Sequence, residues 1–155
     1  YVLAQKGGVD VRQFRVSHPR IAAVPFDSDY KFMATFHTMP GADGQPVVRA
    51  YVKGAPDVIL DRSTRARMPG GLSQSLTTDM RAKVLAENER IASQGRRVLA
   101  FAQREFDPAT FDPSADLMAL MQDLELAALV GEVDPPRPEA TRAIAEAKLA
   151  PALAV

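Results

Sequence analysis

Apolar residues in this chain fall into two rhythms. Ile21–Phe26, Phe32–Met39, Val47–Lys53, Arg97–Gln103 and Leu124–Val130 are short runs rich in β-branched and aromatic residues, as half-buried or buried strands require. Glycine, proline and aspartate clusters punctuate them, and Pro40-Gly41-Ala42-Asp43-Gly44 predicts a hairpin between the second and third runs. Helical spacing predicts helices at Tyr1–Lys6, at Val11–Ser17, and from Pro56, where Val58, Ile59 and Arg62 continue the turn. The longest predicted helix is Leu72–Gln94. Thr77 or Thr78 caps it, and Met80, Val84, Leu85, Ile91 and Ala92 form its apolar stripe. Its charged face (Arg81, Lys83, Glu87, Glu89, Arg90) is expected in solvent, and Gly95 ends it. A last helix is predicted over Pro138–Leu149. Arg97–Gln103 is apolar enough to be a central strand. Phe106-Asp107-Pro108 recurs as Phe111-Asp112-Pro113, which predicts two proline turns rather than a repeat. Strands that come both in a hairpin and between helices predict an α+β fold, a mixed and mostly antiparallel sheet flanked by helices.

Composition narrows the function. At 155 residues with 46% hydrophobic and 25% charged residues, the chain predicts one globular domain. Lys+Arg and Asp+Glu number 19 each, so no basic field drives nucleic-acid binding and any anion site must be local. The absence of cysteine excludes disulfides, thiolate metal sites and a cysteine nucleophile. His18 and His37 are isolated from carboxylates at ligand spacing, which argues against a metal. No run reaches the ~18 apolar residues of a membrane span, and no direct membrane contact is expected. A start at Tyr1 without methionine, and an abrupt apolar end, are what a piece of a longer protein would show.

Chemistry gathers in four segments. Pro25-Phe26-Asp27-Ser28-Asp29-Tyr30-Lys31-Phe32-Met33 is a strand-turn-strand holding an aromatic, a lysine and a methionine. Lys53-Gly54-Ala55-Pro56-Asp57 sets a lysine at a strand end, against a glycine turn that opens a helix; such a point charge suits a phosphate or carboxylate. In Gly95-Arg96-Arg97-Val98-Leu99-Ala100-Phe101-Ala102, alternation puts Arg97, Leu99 and Phe101 on one face. Gly131-Glu132-Val133-Asp134-Pro135-Pro136-Arg137 is a stiff connector. Taken singly, Phe26 reads more readily as a core aromatic, Met33 as a gap filler and Arg97 as a solvated strand-end charge.

In this order and spacing the segments resemble the nucleotide-binding domain of P-type cation-transporting ATPases, type II, calcium-pump-like. That family's patterns read Phe-Asp-Ser-x-x-Lys-x-Met, Lys-Gly-Ala-Pro-Glu, Gly-x-Arg-Val-Leu-Ala-x-Ala and Asp-Pro-Pro-Arg. The resemblance runs from Phe26 to about Ala147 and implies an ATP site. Phe26 would stack on adenine, bordered by Lys31 and Met33, with Ser28 and Asp29 in the adjoining turn. Lys53 would line the pocket beside base and ribose, with Gly54 and Ala55 allowing close approach. Arg97 would reach the phosphates and Leu99 would cover base or ribose. The implied ligands are ATP and ADP, with Mg2+ supplied mainly by a separate phosphorylation domain. The implied partners are the phosphorylation and actuator domains of one pump, and the implied location is the cytoplasmic side of an integral membrane protein. Residues 134–155 would form the hinge toward the phosphorylation domain.

The chain departs from the pattern at Asp57 (usually glutamate) and at Tyr30 and Ser28, where relatives often carry arginine. The Asp-Lys-Thr-Gly-Thr motif with the phosphorylated aspartate, the Thr-Gly-Asp hinge and the acidic Thr-Glu-Gly-Ala-Leu helix do not occur in it. No catalytic residue is therefore expected here, and ATP turnover would need the intact pump. A domain that keeps the fold but has lost nucleotide binding is the competing expectation. A soluble enzyme on an unrelated α+β fold lacks a nucleophile–base set.

Overall fold

A computed structural model describes residues 2–133. Four helices, α1 (Val2–Lys6), α2 (Val11–Ser17), α3 (Pro56–Asp61) and α4 (Thr78–Ala92), accompany seven strands. The strands are β1 (Arg20–Val24), β2 (Phe32–Pro40), β3 (Pro46–Gly54), β4 (Ser63–Arg67), β5 (Ser73–Ser75), β6 (Arg97–Phe106) and β7 (Leu124–Glu132). They make one sheet in the order β1-β2-β3-β6-β7-β4-β5. Every neighbouring pair is antiparallel except β4–β7, so the fold is the mixed, mostly antiparallel α+β arrangement expected.

Side-chain alternation sorts the sheet into two faces. Phe32, Ala34 and Phe36 of β2, Val48, Ala50 and Val52 of β3, Ala100 and Ala102 of β6, and Leu124 and Leu126 of β7 are buried on one face. Ile59 and Leu60 of α3 close over it, joined by Met121 and by half-buried Met80 and Val84 of α4. Phe36, Phe106 and Phe111 meet there with ring centroids 5.3–6.1 Å apart. The other face, carrying Met33, Thr35, Tyr51, Lys53, Phe101 and Gln103, is half-buried or exposed.

The predicted hairpin is β2–β3, and Arg97–Gln103 lies in β6, the middle strand of seven. Asp107 and Asp112 each accept a main-chain N–H two residues on, at 2.8 Å, which makes the two proline segments the turns expected of them.

Two expectations fail. Leu72–Gln94 is not one helix: α4 begins only at Thr78, with Thr77 Oγ1 accepting the Met80 N–H at 3.3 Å, and Ser73–Ser75 is strand. Sequence spacing also gave no hint of β4. Arg81 does not lie on a solvated helix face. It is half-buried, and its guanidinium donates to the Leu60 carbonyl at 2.7 Å and to the Ser63 carbonyl, tying α4 to the turn after α3. Charge cannot tell a solvated arginine from one that satisfies orphan helix-end carbonyls. The Pro138–Leu149 helix and the hinge at 134–155 lie outside the described residues.

The exposed face carries a polar network with a titratable centre. Glu125 accepts hydrogen bonds from Gln103 at 2.7 Å and Arg67 at 3.2 Å. Burial pushes its pKa up, but the bonds from Ser73, Gln103 and Arg67, with the charge of Arg67, outweigh it and hold the carboxyl below the ordinary glutamate value of 4.5. A depressed folded-state value means stabilisation that is complete above the unfolded value and fades as pH falls through the folded one. Denaturant titration of the chain and of Glu125→Gln is expected to show a stability gap at pH 6–7 that shrinks below about pH 4.5. A gap independent of pH would refute this role for the carboxylate.

Candidate functional site

The sheet register assembles the site. Met33 is the Cα partner of Lys53, and Lys53 that of Phe101, so the three side chains stand in one row across β2, β3 and β6 on the exposed face. Leu99, two residues before Phe101, shares this face and is half-buried; Arg97, two further, is exposed at the start of β6. β2 and β6 begin, and β3 and β7 end, at this same end of the sheet. Phe101 was placed on the face of Arg97 and Leu99 by alternation, but only the strand pairing sets it beside Lys53.

The loop between β1 and β2 is fastened to this row. The Ala55 N–H donates to the Lys31 carbonyl at 3.0 Å, joining the Phe26 loop to the Lys53 turn. Within the loop, the Lys31 N–H donates to the Asp27 carbonyl at 2.8 Å and the Asp29 N–H to Asp27 Oδ1 at 2.7 Å. Lys31 adopts φ of +56°, a left-handed turn residue at which the chain reverses into β2. The Tyr30 hydroxyl donates to the Pro25 carbonyl at 2.6 Å, and its ring lies 5.0 Å from that of Phe32. Tyr30 thus clamps the loop from within.

Phe26 is 63% exposed, so it is not a core aromatic. Leaving so large an apolar ring in water forfeits burial that the core offers elsewhere. Lys31, Lys53 and Arg97 are exposed and make no ion pair among the described residues. Ser28 and Asp29 lie exposed in the turn.

Gly54 and Ala55 have structural reasons of their own. A Cβ on Gly54 would sit 2.5 Å from both the Lys31 carbonyl oxygen and Phe32 Cβ, so β2 itself fills the space a side chain would take. Ala55 precedes α3, with Pro56 at the first helical position, and its N–H is spent on Lys31. The expected room for a ligand at this glycine is therefore occupied on its side-chain side by the neighbouring strand.

Two clefts lie elsewhere. One of about 590 Å³ runs between α4 and strands β4 and β7, and one of about 460 Å³ lies near Arg65, Gln103 and Glu125. None of the ten site residues lines either. No three His, Asp or Glu side chains converge as a metal site would require, among the described residues.

Sequence comparison places the chain in a known family. Residues 1–139 match the family described as P-type ATPase, cytoplasmic domain N, and the chain belongs to that family. It is 33% identical over 95% of its length to a calcium-transporting ATPase of Lactococcus lactis and 35% identical over 91% to a cation-transporting ATPase of Synechocystis. It is 32% identical over 94% to a calcium-transporting ATPase of Bacillus subtilis. The chain spans 14–16% of the length of these relatives. No helix among the described residues is long and apolar enough to cross a membrane.

Proposed function

We propose that this domain holds ATP on the exposed face of its sheet, within a cation-transporting P-type ATPase, and presents the γ-phosphate to an aspartate on a separate phosphorylation domain. The observation that carries this reading is the cross-strand row Met33–Lys53–Phe101, with the exposed Phe26 ring on a loop hydrogen-bonded to the turn beside it. Phe26 stacks on the purine, while Met33, Leu99 and Phe101 give it an apolar floor. Lys53 donates to the base or ribose, and Arg97 reaches the phosphates from the strand end. Asp29 and Ser28 bound the turn near the base, beside Lys31.

Transfer itself needs a nucleophile this chain does not contain. The domain's share is orientation, since phosphoryl transfer is mostly positioning and charge stabilisation. Mg2+ would arrive with the nucleotide and be held mainly by the phosphorylation domain. The phosphorylation and actuator domains, on the cytoplasmic side of the membrane, are the partners this reading implies.

Affinity in the isolated domain is weak. One base stack contributes roughly 1–3 kcal/mol and each charge-assisted hydrogen bond roughly 1.5–3 kcal/mol, against at least about 4 kcal/mol for association. Dissociation constants near millimolar follow. Phe26→Ala and Lys53→Ala are each expected to weaken ATP binding about tenfold or more in an NMR titration, with amide spectra otherwise unchanged. Both side chains are exposed, so neither variant should unfold. Two folded variants that bind ATP like the parent would disprove the site.

One observation favours a different reading. Where the resemblance implies arginine in the Phe26 loop, this chain carries Tyr30, whose hydroxyl is committed to Pro25, and Ser28. A domain that keeps the fold as a contact module without nucleotide would show no response to millimolar ATP, ADP or AMP.

A further inference from the structure

The far edge of the sheet has its own chemistry, independent of the nucleotide reading. β5 is the edge strand, and its partner β4 lies between it and β7. The Leu76 N–H donates to Thr64 and the Met68 N–H to Leu72, at 2.9 and 2.7 Å. With Arg65 opposite Ser75, Ala66 opposite Gln74 and Arg67 opposite Ser73, only Gln74 among the β5 residues turns its main-chain groups toward β4. Those of Ser73 and Ser75 point outward, to the free edge. All three β5 residues are exposed, and none is a proline or a charged residue that would blunt the edge.

The side chains beside this edge set its preference. Arg65 and Arg67 sit at alternate positions of β4, on the face of Ser73 and Ser75. The Arg65 side chain makes no hydrogen bond or ion pair among the described residues, while Arg67 is bound to Glu125 and keeps 44% of its side chain exposed. Both line the cleft of about 460 Å³. The acids around that cleft are already engaged: Glu105 with Arg49, Glu125 with Arg67 and Gln103, and Asp123 within 4.0 Å of Arg104. The positive charge left over is that of Arg65.

We propose that the β5 edge is a docking site for an extended peptide segment with carboxylates at alternate positions, which pairs with the outward main-chain groups of Ser73 and Ser75 and sets its acids against Arg65 and Arg67. Strand addition supplies the main-chain bonds, and the two-residue period of a strand matches the spacing of the arginines. An N–H and C=O at each serine without a strand partner among the described residues makes the edge receptive, and the guanidinium of Arg65 selects for acid over base.

The test uses the 155-residue chain with two acetylated, amidated hexapeptides, Thr-Glu-Val-Glu-Val-Thr and Thr-Lys-Val-Lys-Val-Thr. The acidic peptide is expected to shift the amides of Ser73, Ser75 and Arg65 and to leave Lys53 and Phe101 unmoved. Arg65→Glu should weaken it about tenfold, and Ser75→Pro, which removes one outward N–H, about fivefold. The lysine peptide should be silent. Arg65 is exposed, so its charge reversal keeps the fold and decides the matter even where Ser75→Pro disturbs the hairpin. The proposal is overturned if the acidic peptide gives no shift at millimolar concentration, if both peptides bind alike, or if Arg65→Glu binds like the parent. It is overturned equally if sedimentation shows the peptide-free chain dimerising through the same amides, since the edge would then serve a second copy.

Discussion

Gly54→Ala is expected to cost about 3 kcal/mol and to lower the melting temperature by about 10 °C, as an overpacked, backbone-limited site in a domain of this size should. The added methyl would lie 2.5 Å from the Lys31 carbonyl oxygen, 2.5 Å from Phe32 Cβ and 2.8 Å from Phe32 Cα. These are main-chain and first side-chain atoms with no rotamer by which to withdraw, so β2 has to move off β3. The same carbonyl accepts the Ala55 N–H at 3.0 Å, so the displacement also strains the bond that fastens the Phe26 loop. Thermal unfolding by circular dichroism measures the first effect, and amide exchange at Ala55 measures the second. Unchanged stability would mean that the approach of β2 to this glycine is looser than the structure has it. A loss of ATP binding in this variant would report a damaged scaffold, not a lost ligand contact.

Phe36→Ala is the second large effect, expected at about 3–5 kcal/mol, or roughly 10–15 °C in melting temperature. Phe36 has no exposed surface and touches the rings of Phe106 and Phe111, with centroids 6.1 and 5.3 Å away. Removing it empties space between two strands and the loop after β6, and neither neighbouring ring can fill the hole without leaving its own contacts. Because Phe36 faces away from the Met33–Lys53–Phe101 row, the fraction that stays folded should bind nucleotide as the parent does. Denaturant unfolding together with an ATP titration separates the two quantities. A drop under about 1 kcal/mol would show that the core collapses around the deletion.

What the sequence disclosed and what it hid follow one physical line. The strand–glycine–helix junction at Lys53, the β2–β3 hairpin, the Thr77 cap and the central placement of β6 each rest on local pattern, and each was legible. β4 and β5 were not. Ser63-Thr64-Arg65-Ala66-Arg67 turns only Ser63 and Ala66 inward, and Ser63 is satisfied by its hydroxyl donating to the Ile59 carbonyl at 2.7 Å. Ser73-Gln74-Ser75 is exposed throughout. Neither carries an apolar rhythm; β4 is a strand because it pairs with β7, 60 or 61 residues distant at each paired position, and β5 because it pairs with β4. At the site, the chemistry of Phe26, Lys53 and Arg97 could be named from sequence, but their meeting depends on strand pairing. The purpose of Gly54 was hidden because a close approach of two backbones leaves no mark on residue type beyond the glycine itself.

The strand order also bears on how the chain comes together. Among the described residues β7 is the last strand in sequence, yet it lies between β6 and β4. Until residues 124–132 are available, the β4–β5 hairpin has no partner on its inner side, and the four strands β1, β2, β3 and β6 form a sheet with an open flank. During synthesis both halves wait with unsatisfied edges for a single late segment. The interval before β7 inserts is therefore when this chain is most exposed to mispairing with its neighbours.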